Sequence, residues 1–191
     1  MNCDYLIIGS GIAGLSFAIR ASQWGRVVIV TKKRDLDTAT NLAQGGIAAV
    51  IDKDDSLREH IEDTLSSGDG LCDYRSVEMV VSRGKQRVKD LIDYGVPFVR
   101  EERTGSLSLG KEGGHSRRRV AHAYDLTGRE IEKALLENVK NNKNIKLLEN
   151  SVAVDLLVKR ERGVTQCFGA YVMRGHKQVE PFTAGVTILC T

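Results

Sequence analysis

The chain has 191 residues, 41% of them hydrophobic, enough for one sizeable core over residues 1–191 and too few to expect a second independent domain. Its 28 Lys and Arg against 25 Asp and Glu leave a net charge of +3, and the dense basic cluster Arg117-Arg118-Arg119 lacks the interleaved aromatics of a nucleic-acid surface. Cys3, Cys72, Cys167 and Cys190 are scattered, which argues against a zinc site or a disulfide framework and for reduced thiols in a cytoplasmic protein.

The first element is the apolar run Tyr5-Leu6-Ile7-Ile8, too short to span a bilayer and preceded by no charged leader. It enters the turn Gly9-Ser10-Gly11-Ile12-Ala13-Gly14, so residues 4–31 read as strand, phosphate turn, helix, strand. Gly9 permits the tight turn, Gly11 lets backbone approach a pyrophosphate without a Cβ in the way, and Gly14 lets the helix close on the sheet. The free N–H groups and partial positive charge at the helix N-terminus favour that pyrophosphate. Leu15, Ala18, Ile19 and Ser22 recur at helical spacing through Trp24, Gly25 ends the helix, and Val27–Val30 reads as a buried second strand. The alternative is a glycine turn that holds nothing. A dinucleotide site of the usual kind has Asp or Glu at the end of its second strand to hold the ribose hydroxyls. This chain has Thr31-Lys32-Lys33. Lys32 is either a donor to phosphate or ribose or a solvated side chain, and the fingerprint alone does not separate FAD from NAD.

A polar loop then leads to Gln44-Gly45-Gly46-Ile47-Ala48-Ala49, where paired glycines among small residues either let a flat ligand lie against backbone or simply turn the chain. Ser56-Leu57-Arg58-Glu59 is a capping box whose helix continues through Ile61 and Leu65 to Gly68-Asp69-Gly70. A second helix is predicted from Tyr74 to Tyr94, with Val77, Val80, Val81, Val88, Leu91 and Ile92 as its apolar stripe. Gly95 is its stop, and Gly84 weakens its continuity. Val96-Pro97-Phe98-Val99 precedes a charged, glycine-rich loop over residues 103–119, and Thr127-Gly128-Arg129-Glu130 is a second capping box whose helix runs through Leu135, Leu136 and Val139. Ile145–Leu148 is a short strand. Residues 152–158 and 167–173 alternate as antiparallel strands about a turn at Arg162-Gly163, with a third near 178–182. Residues 185–191 read as a buried strand that stops at its last residue, so the chain is expected to be truncated. The fold class is α/β, a Rossmann-like parallel sheet carrying a small antiparallel β-meander.

Chemistry concentrates in Lys111-Glu112-Gly113-Gly114-His115-Ser116-Arg117-Arg118-Arg119. A buried Glu beside cationic groups binds an ammonium or poises a proton transfer, and the plain alternative is a solvated, charged loop. His60, His122 and His176 stand alone and are given no role, and no metal site is expected.

Four segments together resemble the succinate dehydrogenase/fumarate reductase flavoprotein family: Gly9-Ser10-Gly11-Ile12-Ala13-Gly14-Leu15-Ser16, Ala43-Gln44-Gly45-Gly46-Ile47-Ala48-Ala49-Val50, Glu112-Gly113-Gly114-His115-Ser116 and His122-Ala123-Tyr124-Asp125-Leu126-Thr127-Gly128-Arg129-Glu130. They occur in family order and match its N-terminal part. The resemblance implies an FAD-binding domain, with the pyrophosphate at Ser10, Gly11, Ile12, Ala13 and Gly14 and the adenosine side near Lys32. The isoalloxazine side is implied along Ala39, Thr40, Asn41, Leu42, Ala43, Gln44, Gly45 and Gly46, and the adenine near Val152 and Ala153.

Members in respiratory complexes tether FAD through a histidine shortly before the Gln-Gly-Gly. This chain has Ala39 there and no histidine between Met1 and Glu59, which implies noncovalent FAD. The Glu112 loop is similar to that of the aspartate-oxidising members, since a carboxylate suits a substrate ammonium that succinate lacks, and Glu112 and His115 are the candidate catalytic residues. The implied activity is oxidation of L-aspartate to iminoaspartate by hydride transfer to flavin, with oxygen or fumarate as acceptor. The product would serve quinolinate synthase in NAD biosynthesis. The runners-up are a soluble fumarate reductase or succinate dehydrogenase-type flavoprotein and a non-catalytic FAD-binding fragment. The family's capping domain, with its proton-moving arginine, and its helical C-terminal domain are not among these residues, so the chain alone is expected to be inactive.

Overall fold

The structure, a computed structural model, describes residues 1–33, 38–124, 126–175 and 178–191. Asp125 and His176 therefore lie outside the described residues. In chain order the elements are β1 (Asn2–Ile8), α1 (Ile12–Ala21), β2 (Val27–Val30), α2 (Ala39–Leu42), β3 (Ile47–Ala48), α3 (Leu57–Ser67) and α4 (Tyr74–Asp93). They continue with β4 (Leu109–Gly110), β5 (Val120–Ala121), α5 (Thr127–Lys140), β6 (Ile145–Leu148), β7 (Ser151–Glu161), β8 (Val164–Arg174) and β9 (Gln178–Leu189). They form two compact units, one of Met1–Leu42 with Ile131–Thr191 and one of Ala43–Glu130.

The first unit is built on a six-stranded sheet of order β6-β2-β1-β9-β8-β7. Strands β6, β2, β1 and β9 run parallel, and β8 lies antiparallel between β9 and β7. This is the expected parallel sheet with an antiparallel meander. Side chains alternate across the sheet, so Leu6, Ile8, Val28 and Val30 join Leu148, Ala170, Val172 and Phe182 in one core cluster, while the equally buried Ile7 and Ile29 point to the other face. Burial on both faces is why β2 reads as an unbroken apolar run. At the β7–β8 turn Arg162 and Gly163 both have positive φ, 49° and 82°, as a two-residue hairpin turn requires.

Three details of this unit differ from expectation. Helix α1 stops at Ala21, short of Trp24, because Asn142 donates to the Ser22 hydroxyl (2.8 Å) and Asn144 to the Ser22 carbonyl (3.0 Å), and Trp24 is left 73% exposed. The last two expected strands are one, β9, which pairs with β8 from Gln178 and with β1 as far as Leu189. Its end is not fully buried, since Val186 and Leu189 are exposed: apolar character marks a strand without saying what covers it.

The second unit holds a three-stranded antiparallel sheet, β3-β5-β4, and the packed pair α3 and α4. The Ser56 hydroxyl accepts from the Glu59 N–H (3.2 Å), the N-cap half of the expected capping box, and donates to the Glu59 carboxylate (3.1 Å), while the Ser56 N–H goes to the Asp55 carboxylate (2.8 Å) instead of to Glu59. The buried residue of α3 is His60, whereas Ile61 and Leu65 are half-buried. Helix α4 runs unbroken through Gly84, and Val80 of its expected stripe is exposed. The second capping box is not made. Glu130 N–H bonds to the Leu126 carbonyl (3.1 Å), so Thr127 already lies inside the helix, and its hydroxyl instead accepts from Ala123 N–H (3.0 Å). Among the described residues all four cysteines are free, and no helix is long and apolar enough to cross a membrane.

Candidate functional site

In the first unit the Gly9–Gly14 turn is closed from behind. A Cβ on Gly14 would stand 2.1 Å from the Gly9 carbonyl oxygen, and one on Gly9, at φ 113°, 2.1 Å from that of Cys190. A Cβ on Gly11 would meet only the Thr40 hydroxyl, at 3.4 Å, so the turn is open on the side where α1 begins. That helix has Gly11 as its N-cap, no side-chain cap and no acidic residue in its first turn. Its first N–H, from Ile12, reaches the Thr40 hydroxyl (3.0 Å).

Thr40 is held by its own segment. The Thr38 hydroxyl accepts from Asn41 N–H (3.2 Å) and donates to the buried carboxylate of Glu132. Asn41 Oδ1 is buried and has no hydrogen-bond partner among the described residues. At the end of β2 the Ser10 hydroxyl donates to that of Thr31 (2.9 Å), both buried, where the usual fingerprint has an acid. Lys32 is exposed next to it. The N–H of Ser151 reaches the Thr31 carbonyl (3.0 Å) and that of Asn150 the Lys33 carbonyl (3.3 Å), which brings Lys32 and the half-buried Val152 and Ala153 to one place. The α1 terminus, which has only the Thr40 hydroxyl on its first N–H, the open side of Gly11 and the orphaned Asn41 acceptor are features that a dinucleotide would complete.

In the second unit Gly46 is pressed on β5, where a Cβ would lie 2.4 Å from the Ala121 carbonyl oxygen. Gly45 faces the Glu112 carboxylate, with Oε1 3.2 Å from where its Cβ would be. Gln44, Gly45 and Gly46 are exposed, and so is Glu112, contrary to the buried acid the loop suggested. It sits at the start of an open turn in which His115 N–H reaches the Glu112 carbonyl (3.3 Å). The His115 ring packs edge to face on that of His60, with centroids 5.7 Å apart, and the Nδ1 of each is buried with no hydrogen-bond partner among the described residues.

Two arginines of this loop, Arg117 and Arg119, turn to α3 and the residue before its cap. Arg117 pairs with Glu59 (2.8 Å). Arg119 is fully buried between Asp55 (2.8 Å) and Asp63 (2.6 Å). Burial opposes ionisation of Asp63, but the N–H and hydroxyl of Ser116 and the Arg119 guanidinium outweigh it and hold that carboxyl below the usual range. His60 is pushed the other way from a charged state: burial first, then Arg119 and His115, lower its pKa against the pull of Asp55 and Asp63.

A family model described as an FAD binding domain matches residues 4–191. The chain belongs to this FAD-binding domain family. Its cofactor is FAD. Among curated proteins the domain is 42% identical over 189 residues to the chloroplastic L-aspartate oxidase of Oryza sativa subsp. japonica, covering 98% of this chain and 29% of that protein. It is 42% identical over 197 residues to the L-aspartate oxidase of Vibrio cholerae, covering 100% of this chain and 37% of that one. Among solved structures, the quinol fumarate reductase FrdA of E. coli superposes with a TM-score of 0.91 at 26% identity, over 100% of this chain and 32% of that chain. The FAD-binding domain therefore spans 29% to 37% of the length of these relatives.

The sequence assigns no role to His60, Asp55, Asp63 or Thr38, whereas Asn41 is among the residues the resemblance implies for the flavin side. One signal was available: His60, Asp63 and Ser67 recur at helical spacing, a polar stripe on a helix that was read only for its apolar one.

Proposed function

We propose that this chain is the FAD-holding part of an L-aspartate oxidase, which oxidises L-aspartate to iminoaspartate with oxygen or fumarate as acceptor. The product would be consumed by a quinolinate synthase on the way to NAD, in the cytoplasm. The observation that supports the substrate is the Glu112 carboxylate, exposed and set against Gly45 in the Gln44-Gly45-Gly46 stretch.

Bound FAD supplies the hydride acceptor. The protein's part begins at the open side of the glycine turn, where Ser10, Gly11, Ala13 and Gly14 offer backbone N–H groups and the positive end of α1 to the pyrophosphate, and the Ile12 N–H turns to it from the Thr40 hydroxyl. Lys32, with Val152 and Ala153 beside it, takes the adenosine end, and Ala39, Thr40, Asn41 and Leu42 line the flavin end with the Asn41 amide oxygen as an acceptor. Ala43, Gln44, Gly45 and Gly46 supply flat backbone without side chains at the two glycines. Glu112 accepts a hydrogen bond from the substrate ammonium, a charge-assisted contact of about 1.5–3 kcal/mol. Succinate makes no such contact. His115 closes the Glu112 turn, with its ring on His60.

The test is an assay of the whole FAD-loaded protein with L-aspartate under oxygen, with L-aspartate and fumarate anaerobically, and with fumarate and a reduced dye. Aspartate-dependent turnover is expected with either acceptor. Glu112→Gln should raise the KM for L-aspartate about tenfold and leave FAD affinity unchanged. Fumarate reduction without aspartate oxidation would make the protein a fumarate reductase, and FAD binding without either activity a non-catalytic flavin holder.

A further inference from the structure

The loop that carries Glu112 is laced to one face of α3. The Asp63 carboxylate accepts the N–H and the hydroxyl of Ser116, each at 2.8 Å, and Nη1 of Arg119 at 2.6 Å. One turn earlier on the helix Glu59 takes Nε (3.0 Å) and Nη2 (2.8 Å) of Arg117, and His60 meets His115. One turn later the Ser67 hydroxyl lies against Gly114, 2.6 Å from where its Cβ would be, and Gly114 has φ 82°, a conformation that suits glycine.

Asp63 differs from the other members of this face. Arg119 is already matched in two parallel hydrogen bonds by Asp55, Nε to Oδ2 at 2.9 Å and Nη2 to Oδ1 at 2.8 Å, so its charge is compensated without Asp63. The two bonds from Ser116 are what only Asp63 supplies, and Ser116 follows directly on the turn from Glu112 to His115. A hydrogen bond pair to one carboxylate fixes both the position and the rotation of that short segment.

We propose that Asp63 is the positioning residue that sets where the Glu112 carboxylate stands beside Gly45, and through it makes the protein discriminate an amino dicarboxylate from one without the amino group. This inference rests on Glu112 being the partner of the substrate ammonium. Asp63 touches neither substrate nor cofactor; it acts through Ser116 and the turn.

The experiment compares Asp63→Asn with the unaltered whole protein, FAD-loaded, for L-aspartate oxidation, fumarate reduction and FAD affinity by flavin fluorescence. The variant keeps Arg119 paired with Asp55 and weakens the grip on Ser116. The expected result is a KM for L-aspartate raised about tenfold, with kcat, the KM for fumarate and the FAD dissociation constant unchanged. Asp63→Glu should restore part of the loss. Ser116→Ala, which removes one of the two bonds, should give a smaller rise with the same selectivity, and it decides the matter should Asp63→Asn fail to fold. An unchanged KM for L-aspartate, or equal losses for aspartate and fumarate, or weakened FAD binding, overturns the proposal. If the unaltered protein oxidises no aspartate, the substrate reading has failed before any variant is considered, and this inference falls with it.

Discussion

His60 is buried, and its Nδ1 finds no hydrogen-bond partner among the described residues. A proton added to this ring would face Arg119 and His115, with Asp55 and Asp63 as the opposing charges, and burial and the two cations prevail, so the pKa lies below its ordinary 6.5. The unfolded chain then binds more protons than the folded one between those two values. The contribution of His60 is fully present above its unfolded value and is lost as pH falls through its folded one. The expected outcome is that thermal stability drops as pH falls below the ordinary 6.5 towards the lower folded value, and that His60→Gln flattens the drop. Parallel melting curves across that range for parent and variant would show that the ring carries none of it.

At the scale of elements, Gly84 explains why a helix tolerates a residue that ordinarily weakens it. A Cβ there would stand 3.3 Å from the Ala49 Cβ, so the bare backbone of α4 lets that buried alanine approach. Gly84→Ala gains about 1 kcal/mol of helix preference and meets a tight contact, so the two terms nearly cancel. Gly84→Leu places several more atoms against Ala49 and should cost about 1–3 kcal/mol or more through overpacking. Denaturant midpoints of the two variants check this, and a Gly84→Leu protein as stable as the parent would mean that α4 and Ala49 separate at no cost. Helix α4 also begins on a cap that periodicity did not reveal, Asp73, whose carboxylate accepts the Ser76 N–H at 2.8 Å.

At the scale of the whole chain, residues 4–191 are a flavin-binding domain of a family whose respiratory members, by the sequence resemblance, tether the cofactor through histidine. Ala39 begins α2 at the corresponding place and is exposed, and the first histidine of the chain is His60. A side chain without a nucleophilic nitrogen forms no such bond. Acid precipitation of the FAD-loaded protein should therefore leave the yellow colour in the supernatant. Colour retained in the pellet would mean a covalent attachment at another residue and would remove Ala39 as a discriminator between branches of the family.

The sequence by itself determined the βαβ start, the sheet class, the caps at Ser56 and the glycine turns, because each is written in contacts between residues a few positions apart. Periodicity, capping boxes and Gly-Gly pairs are local physics. The resemblance carried by four spaced segments added the flavin and a place for it. Only the tertiary structure decided that His60 rather than Ile61 is the buried residue of α3, that Arg119 turns inward between Asp55 and Asp63, and that Glu112 stays exposed against Gly45. These pairings join residues more than fifty positions apart. A charged side chain has the same local signature whether it faces water or a buried partner, and only the fold that brings the partner near distinguishes the two.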